Sequence, residues 1–262
     1  MKSILETIAD DTRLRVAKAK KEISFEDIRD QALEMGREQT FIFEDVLRQD
    51  GMSFICECKK ASPSKGIISE AFPYIKIAKS YEAAGATCIS VLTEPKWFMG
   101  KNAYLKEITE TVNIPCLRKD FIVDEYMIYE AKLLGAHAVL LICALLNTAT
   151  IKKYIEICDK LGLSALVEAH DKEEINAAIA AGARIIGINN RNLKDFTVDI
   201  HTSERLKQYV PDSIIFITES GIKTHEDIEF LQTLGVDAVL IGETFMRADD
   251  KKAMLHKLRG LA

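Results

Sequence analysis

Eight short apolar runs, rich in β-branched residues, alternate with eight longer amphipathic segments between residues 53 and 258. This alternation is typical of successive strand–helix units whose strands pair in parallel within one sheet. It predicts strands at Ser53–Lys59, Cys88–Thr93, Ile114–Lys119, Ala138–Leu145, Ser164–Glu168, Arg184–Asn189, Ser213–Thr218 and Ala238–Gly242. It predicts helices at Tyr74–Ala84, Ala103–Val112, Asp124–Leu134, Thr148–Leu161, Asp171–Ala181, His201–Tyr209, His225–Leu234 and Asp250–Leu258.

Four glycines mark a repeat within this alternation. Gly85, Gly135, Gly182 and Gly235 each stand just before an even-numbered strand, at successive spacings of 50, 47 and 53 residues. A glycine at this point can end a helix in the left-handed conformation. The repeat indicates a module of two strand–helix units used four times, which favours an α/β fold with a closed (β/α)8 TIM barrel. An open doubly wound sheet is the alternative that the pattern leaves.

The first 50 residues follow a different pattern. Ile4–Lys21 and Ser24–Met35 have apolar residues at helical spacing and many charges, but no strand-like run. The remainder has about 26 residues per strand–helix unit, in keeping with the size of this barrel. Glycine and proline number only 13 and 5, and no Ser/Gly linker separates the two parts. We therefore expect one domain, residues 1–262, in which residues 1–48 form an N-terminal helical extension packed on the barrel.

The charge balance and the cysteines narrow the class of protein. Thirty-five basic and 40 acidic residues give a formal charge of −5, which gives no reason to expect a nucleic acid or a membrane as partner. The longest apolar stretch, Ala138–Leu146, is too short to span a bilayer, and no signal-like segment follows Met1. The six cysteines form no CxxC pair and are typical of reduced thiols in a cytoplasmic protein. Cys56 and Cys58 lack the further ligands of a metal site.

Polar residues gather at the predicted strand ends, where the reactive groups of such barrels belong. Because side chains two residues apart share one face of a strand, two ammoniums and two carboxylates should meet at one mouth. Such a group is costly to assemble unless a charged ligand or mutual pairing uses it. The candidate catalytic residues are Glu57, Lys59, Lys119, Glu168 and Asn189. The alternative is a structural salt-bridge network that closes the top of the barrel.

Glycine turns after the last two strands predict a phosphate site. Ser220-Gly221 and Gly242-Glu243 can place backbone N–H groups at the usual phosphate position of this fold, although ordinary turns would look the same. Ser62 lies in a further polar loop, after the first strand.

Apolar residues at the mouth predict a slot for an aromatic ring. The candidates are Pro63, Phe98, Leu117, Phe121, Leu140 and Leu240. The three leucines could equally belong to the core of the barrel. Phe98 is more suggestive, because large apolar groups in a loop need a reason.

Seven segments, taken together and in order, resemble the indole-3-glycerol-phosphate synthase family of tryptophan biosynthesis over essentially the whole chain. They are Glu57–Gly66, Leu92–Glu94 with Phe98, Leu117–Phe121, Leu166–His170, Ile188–Leu193, Thr218–Ile222 and Leu240–Glu243. The first and fifth are specific to the family, whereas the glycine turns are shared with many phosphate-binding barrels.

The resemblance implies a carboxy-lyase that converts 1-(2-carboxyphenylamino)-1-deoxyribulose 5-phosphate to indole-3-glycerol phosphate, carbon dioxide and water. It implies that Lys119 is the general acid of ring closure and Glu168 the acid/base of the later dehydration, with Glu57 and Asn189 positioning the substrate. Family positions imply that Lys59 lies near the substrate carboxylate and phosphate. They also place Ser62 and Arg191 at substrate-binding positions. No metal or organic cofactor is expected, and the chain should be a monofunctional monomer.

Crowding by Lys59 and Arg191 leads us to expect a lowered pKa for Lys119, which would suit proton donation near neutrality. Two other functions stay open at this point. One is a sugar-phosphate isomerase or epimerase that uses Glu57 and Glu168 for carbon–proton chemistry. The other is a non-catalytic barrel that senses a phosphorylated ligand.

Overall fold

The computed structural model describes residues 2–36, 41–192 and 196–261. In chain order the elements are α1 (Ile4–Glu22), α2 (Phe25–Glu34), α3 (Ile42–Leu47), β1 (Ser53–Cys58), β2 (Ala61–Ser62), β3 (Gly66–Ile67), α4 (Tyr74–Ala84), β4 (Cys88–Leu92), α5 (Asn102–Thr109), β5 (Cys116–Lys119), α6 (Tyr126–Leu133), β6 (Ala138–Ile142), α7 (Thr148–Leu161), β7 (Ser164–Ala169), α8 (Lys172–Ala180), β8 (Ile185–Asn189), α9 (His201–Lys207), β9 (Ile215–Glu219), α10 (His225–Thr233), β10 (Ala238–Ile241), α11 (Glu243–Arg247) and α12 (Lys251–Leu258). None of the described helices is both long and apolar enough to cross a membrane.

Eight of the strands close into a parallel barrel. They are ordered β1-β4-β5-β6-β7-β8-β9-β10, and β10 pairs with β1 to complete the ring. In this closing pair Ser53 lies opposite Ala238 and Cys56 opposite Ile241. The closed barrel is therefore confirmed, and the open doubly wound sheet is excluded.

Element boundaries differ from the predicted ones by a few residues. The predicted fourth strand runs to Leu145, but β6 ends at Ile142, whose carbonyl accepts the N–H groups of Leu145 and Leu146 in a turn. Asp171 and Asp250 precede α8 and α12, because each side chain accepts a backbone N–H as the N-cap. Helices α3 and α11 and the two-residue strands β2 and β3 were not predicted from the sequence.

The core inside the barrel is apolar, and a layer of polar side chains lies next to it at the carboxyl ends of the strands. Side chains in its strands alternate between the barrel interior and the surrounding helices. Ile55, Leu117 and Leu166 belong to the inner cluster, and Glu57, Lys119 and Glu168 follow two residues later on the same faces. The parallel strands thus deliver their last inward side chains to one end of the barrel.

The N-terminal helices cover both ends of the barrel. Phe43 and Leu47 of α3 join the inner apolar cluster, and the Glu44 carboxylate accepts hydrogen bonds from Nε and Nη2 of Arg184, just before β8. This placement closes the end at which the strands begin. At the opposite end, Leu5 of α1 is buried and Lys20 pairs with Asp124 at 2.8 Å.

A buried ion cluster fastens α1 to the ends of β4 and β5. The Asp120 carboxylate lies 2.7 Å from Arg15, 3.6 Å from Arg118 and 2.6 Å from the Thr93 hydroxyl. Burial alone would raise the pKa of Asp120, but Arg15 and Arg118 outweigh it and hold the pKa below its usual value. Asp120 therefore remains a carboxylate at neutral pH.

We expect Asp120→Ala to destabilise the protein by about 3–5 kcal/mol, because it leaves the buried Arg118 and the half-buried Arg15 without their shared anion. Urea unfolding followed by far-UV circular dichroism measures the change. Asp10→Ala is the matched control, since Asp10 pairs with Lys2 and Arg13 on the exposed surface of α1 and should leave the midpoint in place. Equal midpoints for wild type and Asp120→Ala would contradict this role of the cluster.

Candidate active site

A cavity of about 830 Å³ opens at the carboxyl ends of the barrel strands. The predicted site residues that line it are Glu57, Lys59, Ser62, Pro63, Phe98, Lys119, Phe121, Leu140, Glu168, Asn189, Arg191, Ser220, Gly221, Leu240, Gly242 and Glu243. Leu117 is the exception, and its predicted place at the mouth is wrong. It is fully buried in the inner cluster, two residues before Lys119, so it supports the cavity floor from below.

Lys119 is the cation at the centre of the cavity. Its Nζ lies 3.1 Å from Glu219 Oε2 and 3.6 Å from Glu168 Oε2, and its side chain is 14% exposed. Burial disfavours the charged form, but Glu219, Glu168 and Glu57 outweigh it and raise the pKa of Lys119 above its usual value. Three carboxylates thus hold the ammonium in its protonated form.

The expectation of a lowered Lys119 pKa is therefore wrong, and the reason is geometric. Lys59 pairs with Glu57 at 2.6 Å, and Arg191 donates to the carbonyl of Phe196. Both cations thus have partners of their own within the described part of the chain, and the groups closest to Lys119 are carboxylates. The identity of nearest neighbours decides the sign of the shift.

Glu57 and Lys59 form a second ion pair beside Gly242. Burial alone would raise the pKa of Glu57, but Lys59 and Lys119 outweigh it and hold the pKa below its usual value. A Cβ at position 242 would clash with the Glu57 carboxylate and lie 2.7 Å from Lys59 Nζ. Glycine is thus required here because the ion pair occupies the space of a side chain.

Glu219 is the site residue that the sequence analysis missed. It is 2% exposed, and its Oε1 has no hydrogen-bond partner among the described residues. Burial, aided by the charges of Glu168 and Glu57, outweighs the attraction of Lys119 and raises the pKa of Glu219 to about 7. Gly187 makes room for this carboxyl, because a Cβ there would lie 2.7 Å from Glu219 Oε1.

Glu219 was not predicted as a site residue for a simple reason. The seventh strand was predicted to end at Thr218, which left Glu219 among the polar residues after the strand and gave it no inward-facing position. In the structure β9 continues to Glu219, opposite Asn189 of β8 and Leu240 of β10. Alternation from the inward-facing Ile217 would have found it, had the strand been extended by one residue.

Asn189 links Glu168 to the turn after β9. Its Nδ2 donates to Glu168 Oε2 at 3.4 Å, and its Oδ1 accepts from the Ser220 hydroxyl at 3.0 Å. Glu168 Oε2 thus faces both Lys119 and Asn189. These contacts fix the orientation of one carboxylate oxygen toward the cavity.

Two aromatic rings form one wall of the cavity. The centroids of Phe98 and Phe121 lie 5.8 Å apart at an interplanar angle of 38°. The loop that carries Phe98 is held by the buried Glu94 carboxylate, which accepts the backbone N–H groups of Lys96, Trp97 and Phe98. This wall is thus built by a buried anion that organises an otherwise irregular loop.

The turns after β9 and β10 lie at one side of the cavity. Ser220 and Gly221 both have left-handed backbone conformations, with φ of 68° and 90°. Glu243 opens the short helix α11, and its carboxylate pairs with Arg247 at 3.1 Å and Lys65 at 3.5 Å. Burial would raise the pKa of Glu243, but these two cations outweigh it and lower the pKa. The negative charge of Glu243 is thereby balanced within the described site.

Comparison with known proteins identifies the family. The model of the family described as indole-3-glycerol phosphate synthase matches residues 5–258. An indole-3-glycerol phosphate synthase of Ruminiclostridium cellulolyticum is 58% identical over 259 residues, which are 99% of this chain and 100% of the relative. One of Lachnoclostridium phytofermentans is 49% identical, covering 98% and 99% of the two chains. The chain belongs to the indole-3-glycerol phosphate synthase family.

Membership of the indole-3-glycerol phosphate synthase family gives the activity: the protein is an enzyme that synthesises indole-3-glycerol phosphate in tryptophan biosynthesis. Its substrate is a phosphorylated carboxylate, and the two functions that had stayed open are set aside. The structure of 3-hexulose-6-phosphate synthase from Salmonella typhimurium, at 15% identity and a TM-score of 0.66, covers 80% of this chain and 98% of its own. That likeness concerns the fold alone. In the family motif Ile188–Leu193, Leu193 lies outside the described residues.

The raised pKa of Glu219 predicts a pH-dependent stability. A carboxyl whose pKa rises from 4.5 to about 7 on folding stabilises the fold fully below pH 4.5, and this contribution is lost as the pH rises through 7. We expect Glu219→Gln to lose less stability than wild type between about pH 5 and pH 8. The midpoints of urea unfolding, measured across this pH range for both proteins, give the difference in stability.

His170 adds a slope of the same sign, because its pKa is also raised, in part by the charge of Glu219. The difference between the two proteins therefore reports Glu219 together with its effect on His170. Glu26→Gln, at an exposed position of α2, is the control and should follow the wild-type curve. Parallel curves for wild type and Glu219→Gln would show that the buried carboxyl does not titrate near neutrality.

Proposed function

We propose that this cavity closes the indole ring of 1-(2-carboxyphenylamino)-1-deoxyribulose 5-phosphate, with release of carbon dioxide and water. The observation that carries the proposal is the buried Lys119 ammonium, held between two carboxylates in a cavity that also contains an aromatic wall. A substrate with an aromatic ring, a carbonyl group and two anionic ends matches these features.

Lys119 is the proton donor of the carbon–carbon bond-forming step. As the ring carbon that bears the carboxylate attacks the ribulose carbonyl, the carbonyl oxygen gains negative charge and takes a proton from Nζ. An ammonium kept charged by its neighbours stabilises this oxygen before the proton moves. The high pKa of Lys119 is compatible with this role, because an alkoxide is a stronger base than an amine.

Loss of carbon dioxide then restores the aromatic ring, and loss of the new hydroxyl as water completes the indole. Glu168 serves as the acid/base of this dehydration, since its Oε2 faces the cavity beside Lys119. Asn189 orients that oxygen. The Glu57–Lys59 pair positions substrate hydroxyls and the substrate carboxylate.

The phosphate is assigned to the turns after β9 and β10. Ser220, Gly221 and Gly242 offer backbone N–H groups there, and a short extra helix after the last strand is a common part of phosphate sites in this fold. In this chain that helix is α11. Ser62 and Arg191 line the same cavity and supply further donors.

The proposal extends to the domain organisation, location and oligomeric state of the enzyme. Residues 1–262 form one domain with residues 1–48 as its extension, and the enzyme works in the cytoplasm as a monomer without cofactor, nucleic acid or membrane partner. The described cysteines are free thiols, and all but Cys143 are buried, in keeping with a reducing compartment.

We expect Lys119→Ala to fold normally but to lower kcat by at least about 100-fold, because a positioned proton donor is lost. Formation of indole-3-glycerol phosphate, followed by its indole fluorescence, measures turnover. Lys153→Ala is the control, since Lys153 pairs with Glu125 on the surface. A wild-type kcat in Lys119→Ala would refute the acid role.

Inorganic phosphate should raise the Tm of the wild type by about 3–6 °C at a tenfold excess over Kd. Gly221→Ala should lose this gain, because its φ is 90° and a Cβ would lie 2.8 Å from Val198 Cγ1. Gly182→Ala is the matched control: it has an equally unfavourable φ of 88° but lies in open space. It should lower the Tm yet keep the phosphate-induced gain. An undiminished gain in Gly221→Ala would place the anion elsewhere.

A further inference from the structure

His170 lies next to Glu168 and has no part in the mechanism above. It follows directly after β7, and its side chain is 18% exposed. Nδ1 lies 3.1 Å from Glu174 Oε2, and Nε2 lies 3.5 Å from Glu168 Oε1. The imidazole therefore stands between two carboxylates, one on α8 and one in the cavity.

The contact with Glu174 fixes which nitrogen carries hydrogen. A carboxylate can only accept, so Nδ1 must donate. The same Glu174 oxygen also accepts the backbone N–H of His170 at 2.8 Å, and Asp171 caps α8 by accepting the N–H of Glu174. Glu174 is thus held in place by the start of its own helix, and it leaves Nε2 as the titrating nitrogen.

The two oxygens of Glu168 face different groups. Oε2 faces Lys119 and Asn189 at the cavity, whereas Oε1 faces Nε2 of His170. Nε2 is buried and has no hydrogen-bond partner within the described chain, and its contact with Glu168 Oε1 at 3.5 Å is an ion-pair contact. A bare Nε2 lone pair opposite a bare carboxylate oxygen would be repulsive, so the pair is stable only with a proton between them.

We propose that His170 is a positioning residue that governs the protonation of Glu168, with Nε2 and Oε1 sharing one proton. The inference rests on the acid/base role of Glu168 proposed above. When Glu168 gives a proton to the departing hydroxyl through Oε2, the imidazolium faces the new carboxylate and can pass its Nε2 proton to Oε1. The imidazole is then neutral, and it recovers its proton when Glu168 next accepts one from the substrate.

The charges around His170 favour its protonated form. Glu168, Glu174 and Glu219 face it from β7, α8 and β9, and the Cys143 thiol after β6 donates to the carbonyl of Glu174. Lys119 reaches this group only through Glu168 and Glu219. Burial alone would lower the pKa of His170, but the three carboxylates outweigh it and raise the pKa above its usual value. The imidazolium is therefore available near neutral pH.

The first test compares pH profiles of kcat for wild type, His170→Asn and Glu174→Gln. Asparagine keeps the backbone N–H that binds Glu174, so only the imidazole is lost. We expect kcat to fall about tenfold with KM nearly unchanged. The acidic limb of the kcat profile should move to higher pH, because the cation that faces the Glu168 carboxylate is gone. Glu174→Gln should shift the acidic limb of the profile in the same direction but by a smaller amount.

His201→Asn is the matched control. His201 Nδ1 lies 2.8 Å from Glu204 Oε2, but both side chains are exposed on α9. Its profile should coincide with that of the wild type.

The second test reads the proton directly by ¹⁵N NMR of the histidine rings, with the His170 signal assigned by elimination from Asn variants of the other four histidines. In Glu168→Gln the pKa of His170 should fall, because a neighbouring negative charge is removed. An identical His170 pKa in wild type and Glu168→Gln overturns the shared proton, and this holds even where His170→Asn fails to fold.

The two proposals fail in different ways. A wild-type kcat in Glu168→Gln removes the acid/base role of Glu168, and with it the proposed dehydration step. An inactive Glu168→Gln together with a wild-type kcat and pH profile in His170→Asn overturns the role of His170 alone.

Discussion

The site depends on one imbalance of charge: three buried carboxylates surround the ammonium of Lys119. Glu168 and Glu219 contact it directly, and Glu57 is held mainly by Lys59. Because Lys59 and Lys119 supply two positive charges for three buried carboxylates, one carboxyl retains a proton near neutrality, and Glu219 is the group best placed for it. The site thus holds a protonated lysine beside a protonated carboxyl in one buried cluster.

Beyond the strand ends, ion pairs and side-chain hydrogen bonds hold the loops next to these groups. Asp120 ties β5 to Arg15 of α1. Asp11 of the same helix accepts the indole N–H of Trp97, in the loop organised by Glu94. The helical extension is consequently part of the framework that holds Lys119 and the aromatic wall in register.

Sequence patterns were sufficient for the barrel and for most of the site. Apolar alternation locates strands, and parallel pairing forces their polar ends together, so Glu57, Lys119 and Glu168 could be grouped without coordinates. A one-residue error at the end of β9 hid Glu219. The Lys119 pKa was misjudged because composition at the mouth does not reveal which charges are nearest neighbours. Short elements such as α11 carry too few residues to show a period.

The cavity also has consequences for how the protein is handled. Ile4, Leu5 and Ile8 line the cavity, so the first turns of α1 form part of its wall. Arg259, after α12, instead donates to the carbonyl of Gly85, beside the end at which the strands begin. A purification tag or fusion partner placed ahead of α1 would crowd the entrance for substrate. One placed after α12 would project from the far side of the barrel.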